Sequence, residues 1–308
     1  MHNTPLVSVI VPNYNHARYL DRRLQTVFNQ TYPNFEVWIL DDKSTDSSLE
    51  VIAKYKDNPH IAGVIVNDKN SGSPFKQWDK GVSLAKGDII WIAESDDYCE
   101  LNFLEELVKA MLKKPNVVVA YSSYVIFTDD GYSGKAKVRR TQYFDGVHFI
   151  RCRMAEGNVI MNASGAIFTK KAFGRVRPGY KSYKSAGDYL FWVEMLAQGD
   201  VAVVNKNLTY FRLASTSVTG TNLSKGVTAM EAKKVVDYIE TTFRLSAWQK
   251  WKAYAHQACT AAIRRYDNEQ IRTDVLSLWH ADKYSNTKLL NNLFWLQGSL
   301  ERHFDILI

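Results

Sequence analysis

The sequence has few cysteines and no glycine-rich motif that would bind phosphate. Its three cysteines, Cys99, Cys152 and Cys259, are odd in number and far apart. They argue against a disulfide framework or a thiolate metal site, and they suit a reducing cytosol. Neither G-x-G-x-x-G nor G-x-x-x-x-G-K-[ST] occurs, which excludes the common dinucleotide and Walker-type phosphate cradles. The seven histidines never fall three or four residues apart, so no histidine metal site is expected.

Long apolar runs are also missing. No stretch approaches the roughly 20 residues that span a bilayer, and the first residues, "MHNTPLVSVIVP", lack the features of a signal peptide. With 46% hydrophobic and 23% charged residues, the chain has the profile of a globular protein. Its net charge of +7 favours anionic partners. No nucleic-acid-binding motif occurs, so we expect no nucleic acid partner. The cysteine pattern leads us to expect a cytoplasmic location.

Strand and helix patterns alternate over the first 120 residues. Apolar runs typical of buried strands are separated by helical stripes; the runs read "LVSVIVP", "FEVWIL", "IAGVIV", "DIIWIA" and "NVVVAY". This order predicts an α/β fold, a Rossmann-like and mostly parallel sheet with helices on both faces. From about residue 225 onward the pattern is wholly helical.

Polar groups follow three of these strands. They are "PNYN" after the first, Asp41 and Asp42 after the second, and "ESDD" (Glu94, Ser95, Asp96 and Asp97) after the fourth. In open parallel sheets, ligands bind beyond the carboxyl ends of the strands. Asp41 and Asp42 suit either a helix-capping turn or a contact to a nucleoside. The "ESDD" carboxylates suit either a solvated turn that caps the next helix or a hard divalent cation that grips a diphosphate.

A further carboxylate, Asp188, begins the apolar helical stretch "GDYLFWVEML". At such a position an aspartate is commonly a helix cap. A capping carboxylate is held rigidly, so the same residue can also act as a general base.

Together these pieces closely resemble the family 2 glycosyltransferases of the GT-A fold. The resemblance rests on the block from Val7 to Ser48, on "KQWDKGVSLAKGDIIWIAESDDY" and on "GDYLFWVEML", and it covers roughly residues 6–220. It implies an inverting enzyme that moves a sugar from a nucleotide diphosphate sugar, with UDP as the default, to a hydroxyl of a glycan or lipid-linked glycan. It also implies Mn²⁺ or Mg²⁺ as cofactor, and the biosynthesis of a bacterial cell-surface polysaccharide as the setting.

The resemblance also assigns roles to single positions. Pro12 and Tyr14 would contact the nucleotide base, Asp41 and Asp42 the base or ribose, and Asp96 the ribose. Asp97 would ligate the metal, with Asp96 and Glu94 as further candidates. Lys76, Arg212 and Ser217 would contact the diphosphate or the acceptor. Asp188 would be the catalytic base.

Three positions depart from the family pattern. Glu94 stands where the Asp-x-Asp block has its first aspartate, so its contact with the metal is in doubt. Gly187 stands where many relatives have a glutamate before the base. Glu194 replaces a common arginine, which leads us to expect different electrostatics on the acceptor side.

The resemblance and the helical tail predict a GT-A catalytic domain at 1–222 and a helical region at 223–308. Within the domain, the nucleotide-sugar half would end near 120 and the acceptor half would follow. The helical region mixes aromatic and basic groups, which suits either contact with the anionic inner face of a membrane or ordinary packing; they are Trp248, Lys250, Trp251, Lys252, Arg264 and Arg265. Two other functions remain open: a nucleotidyltransferase, and a nucleotide-sugar-binding protein without turnover.

Overall fold

The computed structural model describes residues 4–128, 131–133, 140–212, 218–280 and 292. The chain forms two compact units, and each is assembled from three separate stretches of sequence. The sheet unit contains Met1–Tyr143, Ile160–Val176 and Gln198–Leu213. The helical unit contains Phe144–Val159, Arg177–Ala197 and Ala214–Ile308. The functional division predicted at residue 222 is a different kind of boundary, and it stays a prediction.

One mixed sheet organises the sheet unit. Its strands are β1 (Val7–Asn13), β2 (Phe35–Asp41), β3 (Ile61–Val66), β4 (Ile89–Ile92), β5 (Tyr98–Cys99), β6 (Val117–Thr128), β7 (Gly131–Ser133), β8 (Gln142–Phe144), β9 (Ala166–Thr169) and β10 (Asp200–Arg212). The order across the sheet is β3-β2-β1-β4-β9-β6-β10-β5, with β7 beside β6 and β8 beside β10.

The first four strands of that order, β3, β2, β1 and β4, pair in parallel. Strand β9 is antiparallel to both β4 and β6, whereas β6 and β10 run parallel. The predicted α/β class with a central, mostly parallel sheet is therefore confirmed. The five apolar runs all form strands, and the last extends to Thr128. Strand β5 escaped prediction because two residues show no periodicity.

Helices connect the strands of the sheet unit and bury one face each. They are α1 (Ala17–Phe28), α2 (Ser48–Ala53), α3 (Pro74–Leu84), α4 (Phe103–Leu112) and α6 (Lys170–Phe173), while α5 (Gly146–Cys152) lies in the other unit. Every residue of β1 and of β4 is buried, as expected for strands covered on both faces. The core therefore reaches the ends of the strands, where the polar groups begin.

The helical unit contains α5 (Gly146–Cys152), α7 (Gly187–Leu196), α8 (Val218–Ser224), α9 (Val227–Phe243), α10 (Ala247–Ile263) and α11 (Glu269–Leu278). Helices α9 and α10 bury small and branched apolar residues such as Val235, Ile239, Ala255 and Ala258. The predicted C-terminal helical region is confirmed as far as His280. In the part of the chain that the structure describes, no helix is long and apolar enough to cross a membrane.

Candidate active site

The acidic segment predicted as a ligand site forms a tight turn at the carboxyl end of β4. The backbone N–H of Ala93 donates to the carbonyl of Ile10 in β1 at 2.8 Å, and the N–H of Asp97 donates to the carbonyl of Glu94 at 3.3 Å. Strand β5 follows at once and pairs with β10. The turn is thus fixed at both ends by the sheet, which holds its carboxylates in one place.

Asp97 is the most firmly held of these carboxylates and is only 3% exposed. Its Oδ2 accepts a hydrogen bond from Asn162 Nδ2 at 2.5 Å, and its Oδ1 accepts one from the backbone N–H of Arg212 at 2.9 Å. Glu94 turns toward α3, where its Oε1 accepts a hydrogen bond from Trp78 Nε1 at 2.8 Å. Each Asp97 oxygen has a second lone pair beyond the bond named here.

A buried arginine lies beside the turn. Arg23 of α1 is 0% exposed, and its Nε donates to the carbonyl of Glu94 at 2.8 Å. One terminal nitrogen of its guanidinium lies 3.9 Å from Asp97 Oδ2, and the guanidinium lies 5.5 Å from the Trp91 ring centroid. Neither terminal nitrogen has a hydrogen-bond partner among the described residues. Arg23 therefore offsets part of the negative charge of the turn from within the chain.

Burial shifts the pKa values of the acidic side chains upward. Burial, with the nearby charge of Asp96, raises the pKa of Glu94 to about 8. The same two causes raise the pKa of Asp97 to about 6 against the opposing charge of Arg23. Burial also raises the pKa of Asp96, while Arg23 and Arg212 oppose that rise. A cation bound beside these carboxylates would lower all three pKa values.

The carboxylates of the turn suit a divalent cation that takes much of its coordination from a bound substrate. Within the described ranges, no three histidine, cysteine, aspartate or glutamate side chains are grouped as a metal site. Mg²⁺ is commonly bound through one or two carboxylates together with substrate phosphates and waters. Asp97 and Asp96 provide such carboxylates, so the residues fit a cation that arrives with a diphosphate.

The ends of β1 and β2 lie next to each other because these two strands pair in parallel. Asn13 Nδ2 donates to Asp41 Oδ2 at 2.8 Å, and Asp41 Oδ1 accepts from the backbone N–H of Ser44 at 2.8 Å. Asp41 is fully buried, and its hydrogen bonds to Asn13 and Ser44 hold the turn after β2. Its predicted contact with a nucleotide stays a prediction.

Asp42 organises the loop that follows β3. Its carboxylate accepts hydrogen bonds from Asn67 Nδ2 at 2.6 Å, from Gln77 Nε2 at 2.8 Å and from the N–H and hydroxyl of Ser71. Lys76 is exposed, and its ammonium donates to the carbonyl of Ser71 at 2.8 Å. Asp42 and Lys76 thus belong to one hydrogen-bonded loop.

The other predicted nucleotide contacts differ in exposure. Pro12 is buried in β1, whereas the ring of Tyr14 is 45% exposed just beyond the strand. Tyr14 is therefore accessible to a planar ligand group. Both assignments stay predictions.

Arg212, at the end of β10, is held between aromatic rings. Its guanidinium carbon lies 3.9 Å from the Tyr19 ring centroid and 4.5 Å from that of Phe127. Such stacking holds the guanidinium in place. Ser217, predicted beside it, lies outside the described residues.

Asp188 lies in the first turn of α7 in the helical unit. Its Oδ1 accepts from the backbone N–H of Tyr189 at 2.8 Å, and its Oδ2 accepts from Asn158 Nδ2 at 2.9 Å. Burial raises the pKa of Asp188 to about 7, although both hydrogen bonds oppose the shift. A carboxylate with a pKa near neutrality is suited to accept a proton at physiological pH.

Glu194 faces the interior of the helical unit. Its carboxylate accepts hydrogen bonds from Arg177 Nε at 3.1 Å and from the Tyr238 hydroxyl at 2.8 Å, and the residue is 5% exposed. The expected effect of Glu194 on the acceptor-side electrostatics stays a prediction. Its charge is matched by Arg177.

Several important residues were missed in the sequence. Arg23 left a readable signal, because it stands with Leu20, Leu24 and Val27 on the buried stripe of α1. Asn158 and Asn162 left none, since isolated asparagines in an irregular segment are common in turns. Only the folded chain reveals that each of them contacts a carboxylate.

Comparison with known proteins identifies the family. The model of glycosyl transferase family 2 matches residues 8–176, more than half of the chain. The chain belongs to this family. The resemblance stated from the sequence is therefore confirmed for the family and for its fold.

Individual relatives of this family 2 member match it to different extents. Chondroitin synthase of Pasteurella multocida (strain Pm70) is 37% identical over 132 residues, which cover 42% of this chain and 13% of the synthase. The matched part is thus a small fraction of that relative. The putative teichuronic acid biosynthesis glycosyltransferase TuaG of Bacillus subtilis (strain 168) is 24% identical over 215 residues, 70% of this chain and 81% of TuaG.

Solved structures share the fold. The crystal structure of S. aureus TarS 1–349 in complex with UDP-GlcNAc superposes with a TM-score of 0.65 at 18% identity, covering 89% of this chain and 80% of that one. At this identity the likeness describes the fold.

Proposed function

We propose that this family 2 member is an inverting glycosyltransferase that moves a sugar from a UDP-sugar to a hydroxyl of a glycan or lipid-linked glycan. The observation that carries the proposal is the fixed acidic turn at the end of β4, beside the parallel strand β1 and the exposed Tyr14. Carboxylates held at this edge of a parallel sheet are where such folds bind ligands.

The relatives support the choice of donor and acceptor. A solved neighbour of the same fold was crystallised with UDP-GlcNAc, and TuaG is named for teichuronic acid biosynthesis. The proposed setting is accordingly the synthesis of a bacterial cell-surface polysaccharide at the cytoplasmic face of the membrane.

The roles proposed at the sheet edge follow the family pattern with one change. Pro12 and Tyr14 contact the base, and Asp96 lies near the ribose. Asp41 and Asp42, for which the family pattern implies a contact to the base or ribose, are proposed to hold the loops around them. Lys76, Arg212 and Ser217 are proposed to contact the diphosphate or acceptor.

Asp97, with Asp96 and Glu94 as further candidates, would hold Mn²⁺ or Mg²⁺. Such an ion, when bound, supplies positive charge for the departing diphosphate. Arg23 supplies a fixed positive charge to the same turn, and Asn162 holds the carboxylate of Asp97 in its orientation.

Asp188 is proposed as the general base. Its carboxylate takes the proton of the acceptor hydroxyl while that oxygen attacks the anomeric carbon. The bond from this carbon to the diphosphate oxygen breaks on the opposite face, and the diphosphate leaves with its electron pair. The anomeric configuration is inverted in this single displacement, and the transition state resembles an oxocarbenium ion.

The test is a panel of nucleotide sugars with Mn²⁺ or Mg²⁺, with hydrolysis and transfer followed by mass spectrometry. We expect one donor to be consumed only with metal. Asp97→Ala and Asp188→Asn should each lower turnover by roughly 10²–10⁴-fold, whereas Asp188→Asn should still bind donor. Asp68→Asn, a change at an exposed position, is the control. Absence of turnover and of binding with every donor would refute the proposal.

A further inference from the structure

The two hydrogen bonds on the carboxylate of Asp188 come from different sources. The bond from Tyr189 N–H is local to α7, whereas Asn158 approaches from a segment 30 residues earlier in the chain. Asn158 is thus the side chain that fixes the direction of Oδ2.

The segment that carries Asn158 is attached to α10. Gln257 Nε2 donates to the carbonyl of Glu156 at 2.8 Å, and Lys252 Nζ lies 2.8 Å from Glu156 Oε1. The Lys252 side chain is 3% exposed and that of Glu156 12%, so this ion pair is largely buried. Such a pair tolerates little displacement, because either charge left alone would be costly. Helix α10 therefore anchors the chain two residues before Asn158.

A second attachment holds the start of α7. Glu231 of α9 accepts hydrogen bonds from the backbone N–H groups of Lys184 at 2.8 Å, Ser185 at 2.8 Å and Ala186 at 2.9 Å. Ala186 is the N-cap residue and has no side-chain oxygen to cap the helix. The carboxylate of Glu231 therefore holds the backbone of the three residues that lead into α7.

We propose that Asn158 and Glu231 are positioning residues for the base Asp188, and that helices α9 and α10 hold the base through them. The inference rests on the proposed role of Asp188. It makes the C-terminal helices part of the catalytic apparatus.

Charged neighbours do not account for the raised pKa of Asp188. Helix α7 packs against α5, α9 and the 3₁₀ turn at Pro178–Ser182, which carry titratable groups such as His148, Arg151, Lys181, Glu231, Lys233 and Asp237. Among the described residues, the pKa of Asp188 responds to burial and to hydrogen bonds, with no charged group among its causes. Removing a hydrogen bond should therefore shift this pKa directly.

The first experiment measures thermal unfolding between pH 5 and pH 9, with and without Asp188→Asn. The pKa of Asp188 is raised from its ordinary value of 3.8 to about 7 in the folded protein. Ionisation of Asp188 therefore destabilises the fold progressively as the pH rises from about 3.8 to about 7. The increase in Tm caused by Asp188→Asn should grow with pH and level off above about 7. We call the pH at which this increase in Tm stops growing the levelling pH. In the Asn158→Ala background, the levelling pH should be higher by roughly one unit, because the charged form of Asp188 loses a hydrogen-bond donor.

Asn268→Ala is the matched control background. Asn268 caps α11 through its side chain, so its loss also destabilises the unit, but it makes no contact with Asp188. Its levelling pH should equal that of the wild type. Equal values in the Asn158→Ala and Asn268→Ala backgrounds would overturn the role of Asn158.

Hydrogen exchange tests Glu231. Glu231→Ala should speed exchange of the Ser185 and Ala186 amides at least roughly tenfold, since both N–H groups donate to the same carboxylate oxygen and both lose it. The control is Glu269→Ala in α11. Unchanged exchange in Glu231→Ala would overturn the role of Glu231.

Turnover separates this inference from the proposed function. If Asp188→Asn retains full transfer of the donor found in the panel, Asp188 is not the base and the inference fails with it. If Asp188→Asn is inactive but Asn158→Ala leaves the levelling pH unchanged, the positioning inference alone fails.

Discussion

At the scale of single residues, the acidic turn is held together by a cation of its own chain. Arg23 is fully buried, bonds the carbonyl of Glu94 and lies near the carboxylate of Asp97. A buried charge without a partner is strongly destabilising, so the arginine and the carboxylates depend on one another. A divalent cation would add positive charge to a turn whose carboxylates Arg23 already partly neutralises.

Arg23→Met should therefore lower the free energy of unfolding at pH 8 by about 3 kcal/mol. The loss should be smaller at pH 5, because Glu94 and Asp97, with pKa values of about 8 and about 6, are then largely protonated in the folded protein. Mn²⁺ should restore part of the stability at pH 8, since it replaces the missing charge. Denaturant unfolding at both pH values, with and without Mn²⁺, checks this.

Arg22→Met is the natural control for Arg23→Met. Arg22 is the exposed neighbour in α1, with its guanidinium over the Tyr98 ring. Its removal should cost much less and should show no response to Mn²⁺. Equal losses in the two variants would contradict a special contribution of the buried charge of Arg23.

Single residues also show how much of the candidate site could be predicted from the sequence. Asp96, Asp97 and Asp188 could be proposed as candidates because carboxylates at strand ends and helix starts have recognisable positions in the sequence. Asn158 and Asn162 could not, because their roles arise from contacts 30 and 65 residues away in sequence. Asp42 was assigned to a nucleotide, yet in the fold its oxygens also organise a loop.

At the scale of elements, the five strands predicted from the sequence could be found because each is an apolar run of at least four residues, whereas β5 has two. The loop between β3 and α3 was not, since its shape depends on Asp42. Four donor groups from Asn67, Ser71 and Gln77 converge on that carboxylate. The loop and the first turn of α3 therefore form one hydrogen-bonded element.

Asp42→Ala should release this element. We expect faster hydrogen exchange over residues 67–77 and at least roughly tenfold weaker UDP binding by calorimetry, because the loop must be reordered when the nucleotide binds. Asp68→Asn, on the exposed side of the same loop, should change neither quantity. If Asp42→Ala weakened UDP binding without altering exchange, Asp42 would act by direct contact instead.

At the scale of the whole molecule, the charge of +7 and the aromatic face of α10 bear on the predicted membrane contact. Trp248 and Trp251 stack at 5.0 Å and are 57% and 39% exposed. Lys252 is buried against Glu156 and is therefore not accessible to a membrane. The group for which membrane contact is predicted is thus smaller and more aromatic.

Replacing both tryptophans by serine should abolish flotation with vesicles that contain anionic lipid. Aromatic side chains at an interface supply the apolar burial, while the net charge supplies attraction that salt weakens. Leu112→Ser, a change at an exposed apolar residue of the sheet unit, should leave flotation intact. Wild-type protein that fails to float would refute the membrane contact itself.

A chain that ends at residue 222 tests how far the C-terminal helices belong to the folded whole. It lacks Glu231, Tyr238, Lys252 and Gln257, which leaves Glu156 and the N–H groups before α7 without the partners described above. We expect a lower unfolding midpoint and loss of a single cooperative transition in calorimetry, because buried charges and helix ends lose their contacts. Full-length protein with Lys252→Met should show an intermediate decrease in Tm. A truncated chain that unfolds at the midpoint of the full chain would mean that residues 1–222 fold independently, and that α9 and α10 do not hold the proposed base.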